Sequence, residues 1–462
     1  MTSSWKGTRP LHIQPSLLRY TAAANTPTTL RREVQTILQN PASKVPILVA
    51  LDDDPTGTQT CHDIPVLTVW DKPALVSEFR TLITEICTNL KEASAETDTR
   101  YEIVLRGDST LRGHFPLEAE AAEDVLGEAD AWLLCPFFLQ GGRYTDDVHY
   151  VAEGETLVPA AQTPFAQDAT FGYKSSNLRE YMVEKSRGAI PPEKVTSLSL
   201  ETIRVGGAEA VLAQLRDVAR GTVVVVNAAA EEDVDVVVLA LLKAAGQGKR
   251  YLFRTGAAFV SARLGIPPIP PISAQQLNLS GNVGGLIIAG SYVPKTTAQL
   301  EVLRNRSGDQ LTTVVIDVRN FLRSDEAGSS EMAKALEVSE KEIAWGQDVL
   351  VMTSRELITG EDGAKSLDIG ATVAKALVSF LVGLATKPRY VIAKGGITSS
   401  DMATKGLKMR RAMIVGQAAA GVPLWRCDEA TAKWPGLPYV VFPGNVGSDA
   451  TLFDVVRGWR LS

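Results

Sequence analysis

VPILVALDDDPTGTQT, residues 45–60, begins as an apolar, β-branched run and breaks after Leu51 into three aspartates and a Gly-containing polar loop. Such a run, with Pro46 near its start where a missing N–H is tolerated, reads as a strand buried on both faces. The same device recurs in YEIVLR (101–106), AWLLCPF (131–137) and TVVVVNA (222–228). Between these runs lie stretches such as ALVSEFRTLITEICTNLKEA (74–93), whose apolar residues fall at helical spacing. Strands alternating with helices imply a mainly parallel, covered sheet. In such a sheet ligands bind beyond the carboxyl ends of the strands, so the loops that follow these runs are the places to look.

The clearest break in composition is IPPIPPISAQQLNLSGNVGG, residues 266–285, rich in Pro, Ser, Asn and Gly. Proline holds the chain in extended, linker-like geometry. After it the pattern restarts with GLIIAGS (285–291), a helix from about Lys295, TTVVIDV, DVLVMTS, a long Ala-rich helix, RYVIAKGG and YVVFPGNVGSDATLFDVV. The expectation is an α/β protein of two three-layer domains with mainly parallel sheets, residues 45–270 and 285–462, joined by a linker at 271–284. Residues 1–44 read as an N-terminal extension, partly helical around 30–38, with no chemistry of its own.

The chain has 462 residues, 45% hydrophobic and 22% charged, and can bury large cores without disulfides or structural metals. Its four cysteines, Cys61, Cys87, Cys135 and Cys427, form no CxxC or CxxH pair, which speaks against a zinc site or a disulfide framework. Net charge is −6 with no long basic run, which disfavours nucleic acid as a partner. No secretory signal or bilayer-length apolar run is present, so a cytoplasmic protein with no membrane partner is expected.

Several loops carry candidate chemistry. In LDDDPTGTQT, Asp53 and Asp54 crowd like charges that a cation, a substrate hydroxyl or a base role would justify, while Thr56 and Gly57 allow close ligand approach. A solvated turn with an acid capping the next helix would explain the same letters. In RGDSTLRGHF, Arg106 and Arg112 offer forked donors for a carboxylate or phosphate, and Asp108, Ser109 and Thr110 could serve hydroxyls. Gly141, Gly142 and Arg143 follow another strand; nearby His149 reads more readily as a packed residue than as a catalyst. In the second half, Gly290 and Ser291, then Gly395, Gly396 and Thr398, then Gly444, Asn445, Gly447 and Ser448 each follow a strand. One Gly-rich loop is an ordinary tight turn; three of them point to a nucleotide pocket. There is no GxxxxGK[ST] loop, no HRD or DFG set, and no dinucleotide fingerprint in the right context.

Together these segments resemble the four-carbon acid sugar kinase family: DDPTGT after a strand, DSTLRG, GGR, GSYVPKTTAQL, KGGITSSD, and GVPLWR with FPGNVGSDATLFD, in the family's order. DSTLRG is the most specific of these, and the resemblance runs from about residue 45 to 456. It implies a sugar-acid-binding N-terminal domain and an ATP-binding C-terminal domain, with the active site in the cleft between them. It also implies phosphorylation of the terminal hydroxyl of threonate, erythronate or 3-oxo-tetronate, with ATP and Mg²⁺ as cofactors. Carried over residue by residue, catalysis would fall to Asp53, Asp54, Asp108 and Arg112, and substrate binding to Thr56, Gly57, Ser109 and Arg143. The nucleotide would fall to Ser291, Gly395, Gly396, Ile397, Thr398, Gly444, Asn445 and Gly447. The sequence departs from the commoner family pattern at Pro55, where many relatives have a larger apolar residue and a shorter acidic run, and at Ile397, where relatives commonly place an acidic residue. A kinase for a longer hydroxy acid and a non-catalytic nucleotide-binding regulator are the alternatives; a homodimer is a candidate assembly.

Overall fold

The computed structural model describes residues 11–12, 27–43, 45–52, 58–67, 79–168, 170–279, 281–290, 293–354 and 363–460. Two compact units emerge, one of Met1–Asp53 with Lys72–Pro268, the other of Asp54–Asp71 with Ile269–Ser462. Both are built on mostly parallel sheets with helices, an α/β fold.

Strands in the first unit are β1 (Leu11–His12), β2 (Ile47–Asp52), β4 (Tyr101–Arg106), β5 (Ala131–Cys135), β6 (Arg143–Asp146), β7 (Val148–Glu153), β8 (Thr156–Pro159), β9 (Val195–Leu198), β10 (Thr222–Val226) and β11 (Tyr251–Thr255). The main sheet is parallel throughout, in the order β2-β4-β11-β5-β10-β9. Every residue of β10 is buried, which is why its sequence is an unbroken valine run rather than an alternating one. Register pairs Asp52 with Arg106, Arg106 with Thr255, and Thr255 with Cys135, so the carboxyl ends of β2, β4, β11 and β5 lie side by side. A smaller antiparallel sheet, β1-β8-β7-β6, carries the chain that follows β5.

The described part of the expected N-terminal extension belongs to this unit. Its helix Pro27–Gln39 packs on the helix Glu231–Gly246: Arg31 pairs with Asp235 and donates to the Ile266 carbonyl, and Gln35 Nε2 donates to Gly265 O at 2.9 Å. Burial pushes the Asp235 carboxyl up to about 6 against the pull of Arg31.

The second unit holds an eight-stranded sheet. Its strands are β3 (Ile64–Leu67), β12 (Leu286–Ala289), β13 (Leu311–Ile316), β14 (Asp348–Thr353), β15 (Val391–Lys394), β16 (Arg411–Ala419), β17 (Val422–Arg426) and β18 (Pro438–Phe442). The order is β13-β14-β12-β15-β18-β17-β16-β3, with the first five parallel and the last three antiparallel to their neighbours. β3 corrects the sequence reading: it was expected inside the first domain, yet it pairs with β16, and Trp425 Nε1 donates to Thr58 Oγ1 at 2.9 Å. The expected linker is likewise packed. Ile272 is buried in the second core, its N–H donates to Gln417 O at 2.8 Å, and its carbonyl accepts from Trp459 Nε1 at 3.1 Å. Gly416, at φ +148, lies under this segment: a Cβ there would stand 3.1 Å from the side chains of Ile269 and Ile272. Among the described residues no helix is long and apolar enough to cross a membrane.

Candidate active site

The loop leaving β4 is organised around Asp108. Its Oδ1 accepts from the Thr110 N–H at 3.0 Å, and its Oδ2 accepts from the Thr110 hydroxyl and from Arg112 Nε at 2.7 Å. Burial alone would raise this carboxyl, but the Arg112 charge and those hydrogen bonds outweigh it and leave it below the ordinary carboxylate range. Asp108 is therefore a fixed anion that orients Arg112, whose far end stands 3.9 Å from Asp168. Two tyrosines hold the loop from behind: Tyr173 donates to Thr110 O at 2.7 Å and Tyr181 to Leu111 O at 2.8 Å. That grip accompanies an unusual backbone, since Leu111 takes φ +70. Beneath the loop the buried Arg254 pairs with the buried Glu118, and its guanidinium lies where a Cβ on Gly107 would be.

Arg143 opens β6 and brings a second guanidinium to the same place. Arg112 and Arg143 stand 5.3 and 5.7 Å from the centroid of the Phe165 ring. Arg143 is only 7% exposed. Its Nε has no hydrogen-bond partner, and among the described residues no carboxylate lies within ion-pair reach of it. Burial pulls its pKa down, Asp108 pulls it back up, and the Arg112 charge lowers it further. Asp108 acts on this cation only from beyond ion-pair distance, so its desolvation is incompletely offset, and an anionic ligand would relieve that cost.

His149 is fully buried and braces the hairpin β6–β7 to this loop. A carbonyl can only accept, so the 2.7 Å contact with Ser109 O puts the proton on Nε2. Nδ1 is then left to accept from the Thr145 hydroxyl at 3.0 Å. Burial pushes the imidazole down to about 4 from 6.5. Between those values the unfolded chain binds a proton that the native chain refuses, so this residue makes stability rise with pH across the window. The penalty is complete below pH 4 and amounts to about 3 kcal/mol. Asp235, raised from 3.8 to about 6, works in the opposite direction over its own range. The informative quantity is therefore the wild-type minus His149→Gln difference in urea midpoints from pH 4 to 6.5. That difference is expected to rise with pH, and a flat one removes His149 from the account.

In the second unit three neighbouring strands end in glycine loops. Gly290 follows β12, and a Cβ on it would stand 3.1 Å from Thr398 Oγ1 and 2.7 Å from Leu377 Cδ1. Gly395, at φ +109, follows β15 and donates its N–H to Phe442 O at 2.8 Å. Gly396 opens the short helix Gly396–Asp401, continued by the π-turn Met402–Gly406. Gly447, at φ +84, lies in the loop after β18, where a Cβ would meet Thr451 Oγ1 at 2.7 Å. Register pairs Ala289 with Lys394 and Lys394 with Phe442, so Gly290, Gly395, Gly396, Thr398, Gly444, Asn445 and Gly447 share one edge of the sheet. Ile397 is 79% exposed beside them.

Residues 48–263 match the sugar-binding N-terminal domain, and residues 286–452 match the nucleotide-binding C-terminal domain, that together define one family. The chain belongs to the four-carbon acid sugar kinase family, DUF1537. The fold is similar to that of a Salmonella typhimurium LT2 protein, at TM-score 0.61 and 16% identity over 92% of this chain and 96% of that one. It is also similar to a Haemophilus influenzae DUF1537 protein, at TM-score 0.55 and 16% identity over 93% and 98%. No curated protein matches the sequence.

Within this family framework, the first unit gathers Asp108, Ser109, Arg112 and Arg143, and the second gathers the glycine loops. Asp53, Asp54, Thr56, Gly57 and Ser291 lie outside the described residues. Tyr173, Tyr181, Phe165, Glu118 and Arg254 were not picked out from the sequence. Each reaches the site from a distant element and no local motif surrounds it. Among the described residues no group of three or more His, Cys, Asp or Glu could hold a metal ion.

Proposed function

We propose that this family member is an ATP-dependent kinase that phosphorylates the terminal hydroxyl of a four-carbon sugar acid. The observation that carries the reading is the buried, unpaired Arg143 guanidinium beside Arg112 and Asp108, in a domain matched as sugar-binding. Arg143 and Arg112 receive the substrate carboxylate, with Phe165 closing off water on one side. Ser109 and the first loop, Thr56 and Gly57, bind hydroxyls. Asp108 is already held by Thr110 and Arg112 as a depressed carboxylate, which makes it a weak base; Asp53 or Asp54 takes the hydroxyl proton.

Gly395 and Gly447 adopt positive-φ backbone that suits close approach by a nucleotide, and Gly290, Gly396, Ile397, Thr398, Gly444, Asn445 and Ser291 complete that side. ATP supplies the phosphoryl group. Mg²⁺ would arrive on its phosphates with most of its own water, which suits a chain offering no three-carboxylate cluster among its described residues. Catalysis of this kind rests on positioning and charge neutralisation rather than covalent chemistry. All four cysteines are free and buried, which fits a reducing, cytoplasmic setting.

ADP release with ATP and Mg²⁺ should be stimulated by one member of a panel of D- and L-threonate, D- and L-erythronate and the 3-oxo acids. Stimulation only by longer hydroxy acids would shift the substrate class. ATP binding without turnover of any acid would favour a regulator.

A further inference from the structure

The loop after β18 divides its backbone groups unevenly. Four of its carbonyls are taken up by buried donors: Pro443 O by Lys394 Nζ, Gly444 O by the Thr296 hydroxyl at 3.2 Å, and Val446 O and Ser448 O by Gln299 Nε2 at 3.0 and 2.8 Å. Lys394, Thr296 and Gln299 are all 0% exposed. Lys394 ends β15, with its ammonium 4.2 Å from the Phe442 ring centroid, while Thr296 and Gln299 stand three residues apart on one face of the helix Pro294–Ser307. The N–H groups behave differently. Ser448 N–H donates to Thr451 Oγ1 at 2.8 Å, but those of Gly444, Asn445, Val446 and Gly447 have no hydrogen-bond partner among the described residues.

Successive amides left over while the carbonyls are occupied elsewhere make an anion-binding concavity. The arrangement does not follow from the loop's own sequence, because Gly444 and Gly447 leave its peptide planes free to turn. With the pins removed, carbonyl oxygens would rotate into the same space and repel an anion. Three buried polar side chains spent on one glycine loop are also expensive to desolvate unless each is paired, which accounts for their placement against carbonyls.

We propose that Lys394, Thr296 and Gln299 are positioning residues that pin the carbonyls of this loop, so that the amides of Gly444, Asn445, Val446 and Gly447 seat the phosphate groups of a nucleoside di- or triphosphate. The proposal rests on reading the second domain as the nucleotide site, and it assigns these three side chains a role through the loop rather than in contact with the reacting atoms.

Titration calorimetry with ADP and with adenosine, on the full chain and on Thr296→Val, Thr296→Ser and Lys394→Met, tests it. Thr296→Val is nearly isosteric, and Thr296→Ser keeps the hydroxyl. Thr296→Val and Lys394→Met should each weaken ADP by about tenfold, the loss of one ordered hydrogen bond and its consequences. Adenosine affinity should hold, and Thr296→Ser should bind ADP like the unmodified chain. Should Lys394→Met fail to fold, the Thr296 pair decides alone. Unchanged ADP affinity in Thr296→Val, or parallel losses for ADP and adenosine, overturns the pinning role and leaves the nucleotide reading standing. No ADP binding by the unmodified chain overturns both.

Discussion

Arg143→Met is expected to abolish most sugar-acid turnover while leaving the protein as stable as before, or more so. The two halves of that expectation come from one fact. Arg143 is 7% exposed, and its Nε has no partner among the described residues. Its charge is a liability, because burial and the Arg112 charge oppose it more strongly than Asp108, beyond ion-pair distance, supports it. Methionine fills similar space without that penalty. On the proposed reading an acidic substrate reverses the balance, since the guanidinium would then be one half of a desolvated ion pair. Removing one partner of such a pair costs about 2–5 kcal/mol, or roughly 30- to 4,000-fold in kcat/KM. Lysine should rescue poorly, because a point charge does not reproduce the guanidinium fork. Steady-state kinetics and a thermal melt decide the matter together. A variant that loses activity and stability in parallel would show Arg143 to be a packing residue. One that keeps its kinetics would remove it from the site.

Most strands could be read from the sequence because burial on both faces leaves a continuous apolar run, but β2, expected to be buried on both faces, is an edge strand with no fully buried residue. YEIVLR is β4 to the residue, and the valines of TVVVVNA are β10. Organisation across long separations was less visible. Ile64–Leu67 is four residues long, and nothing in IPVL says that its partner is Arg411–Ala419. The Pro-rich stretch looked like a linker because composition reports stiffness, whereas the burial of Ile272 depends on the sheet that it covers. At the site, DSTLRG announces itself because charge and glycine alternate in a short span. Tyr173 and Tyr181 do not, since phenol-to-carbonyl bonds spanning 63 and 70 residues leave no mark on local pattern. Gln299 and Thr296 read as ordinary helix residues until the loop they serve is brought beside them. His149 is the instructive middle case: sequence could say that a lone histidine is more often packed than catalytic, but only the Ser109 carbonyl shows what it is packed for.

Gly107→Ala should be the most damaging single change of this size in the first domain. A Cβ at that position would fall 1.2 Å from Arg254 Nη1, 1.8 Å from Cζ and 1.9 Å from Nη2. Overlap with the end of an arginine is normally relieved by swinging the side chain away. Here that route is closed, because Arg254 is buried and paired with the buried Glu118. Moving the guanidinium would strand Glu118 as an unpaired buried charge, a loss of about 3–5 kcal/mol. Moving the backbone instead would displace Asp108, the next residue, and with it Arg112. For a domain of this size each kcal/mol lowers the melting temperature by about 2–4 °C, so a fall on the order of 10 °C with loss of turnover is expected. A double-mutant cycle separates collision from general fragility. Arg254→Ser with Glu118→Gln removes both the obstacle and the carboxylate that it neutralises. In that background Gly107→Ala should cost far less than in the parent chain. An equal cost in both backgrounds would mean that Gly107 is required for its own backbone and not for the guanidinium lying on it.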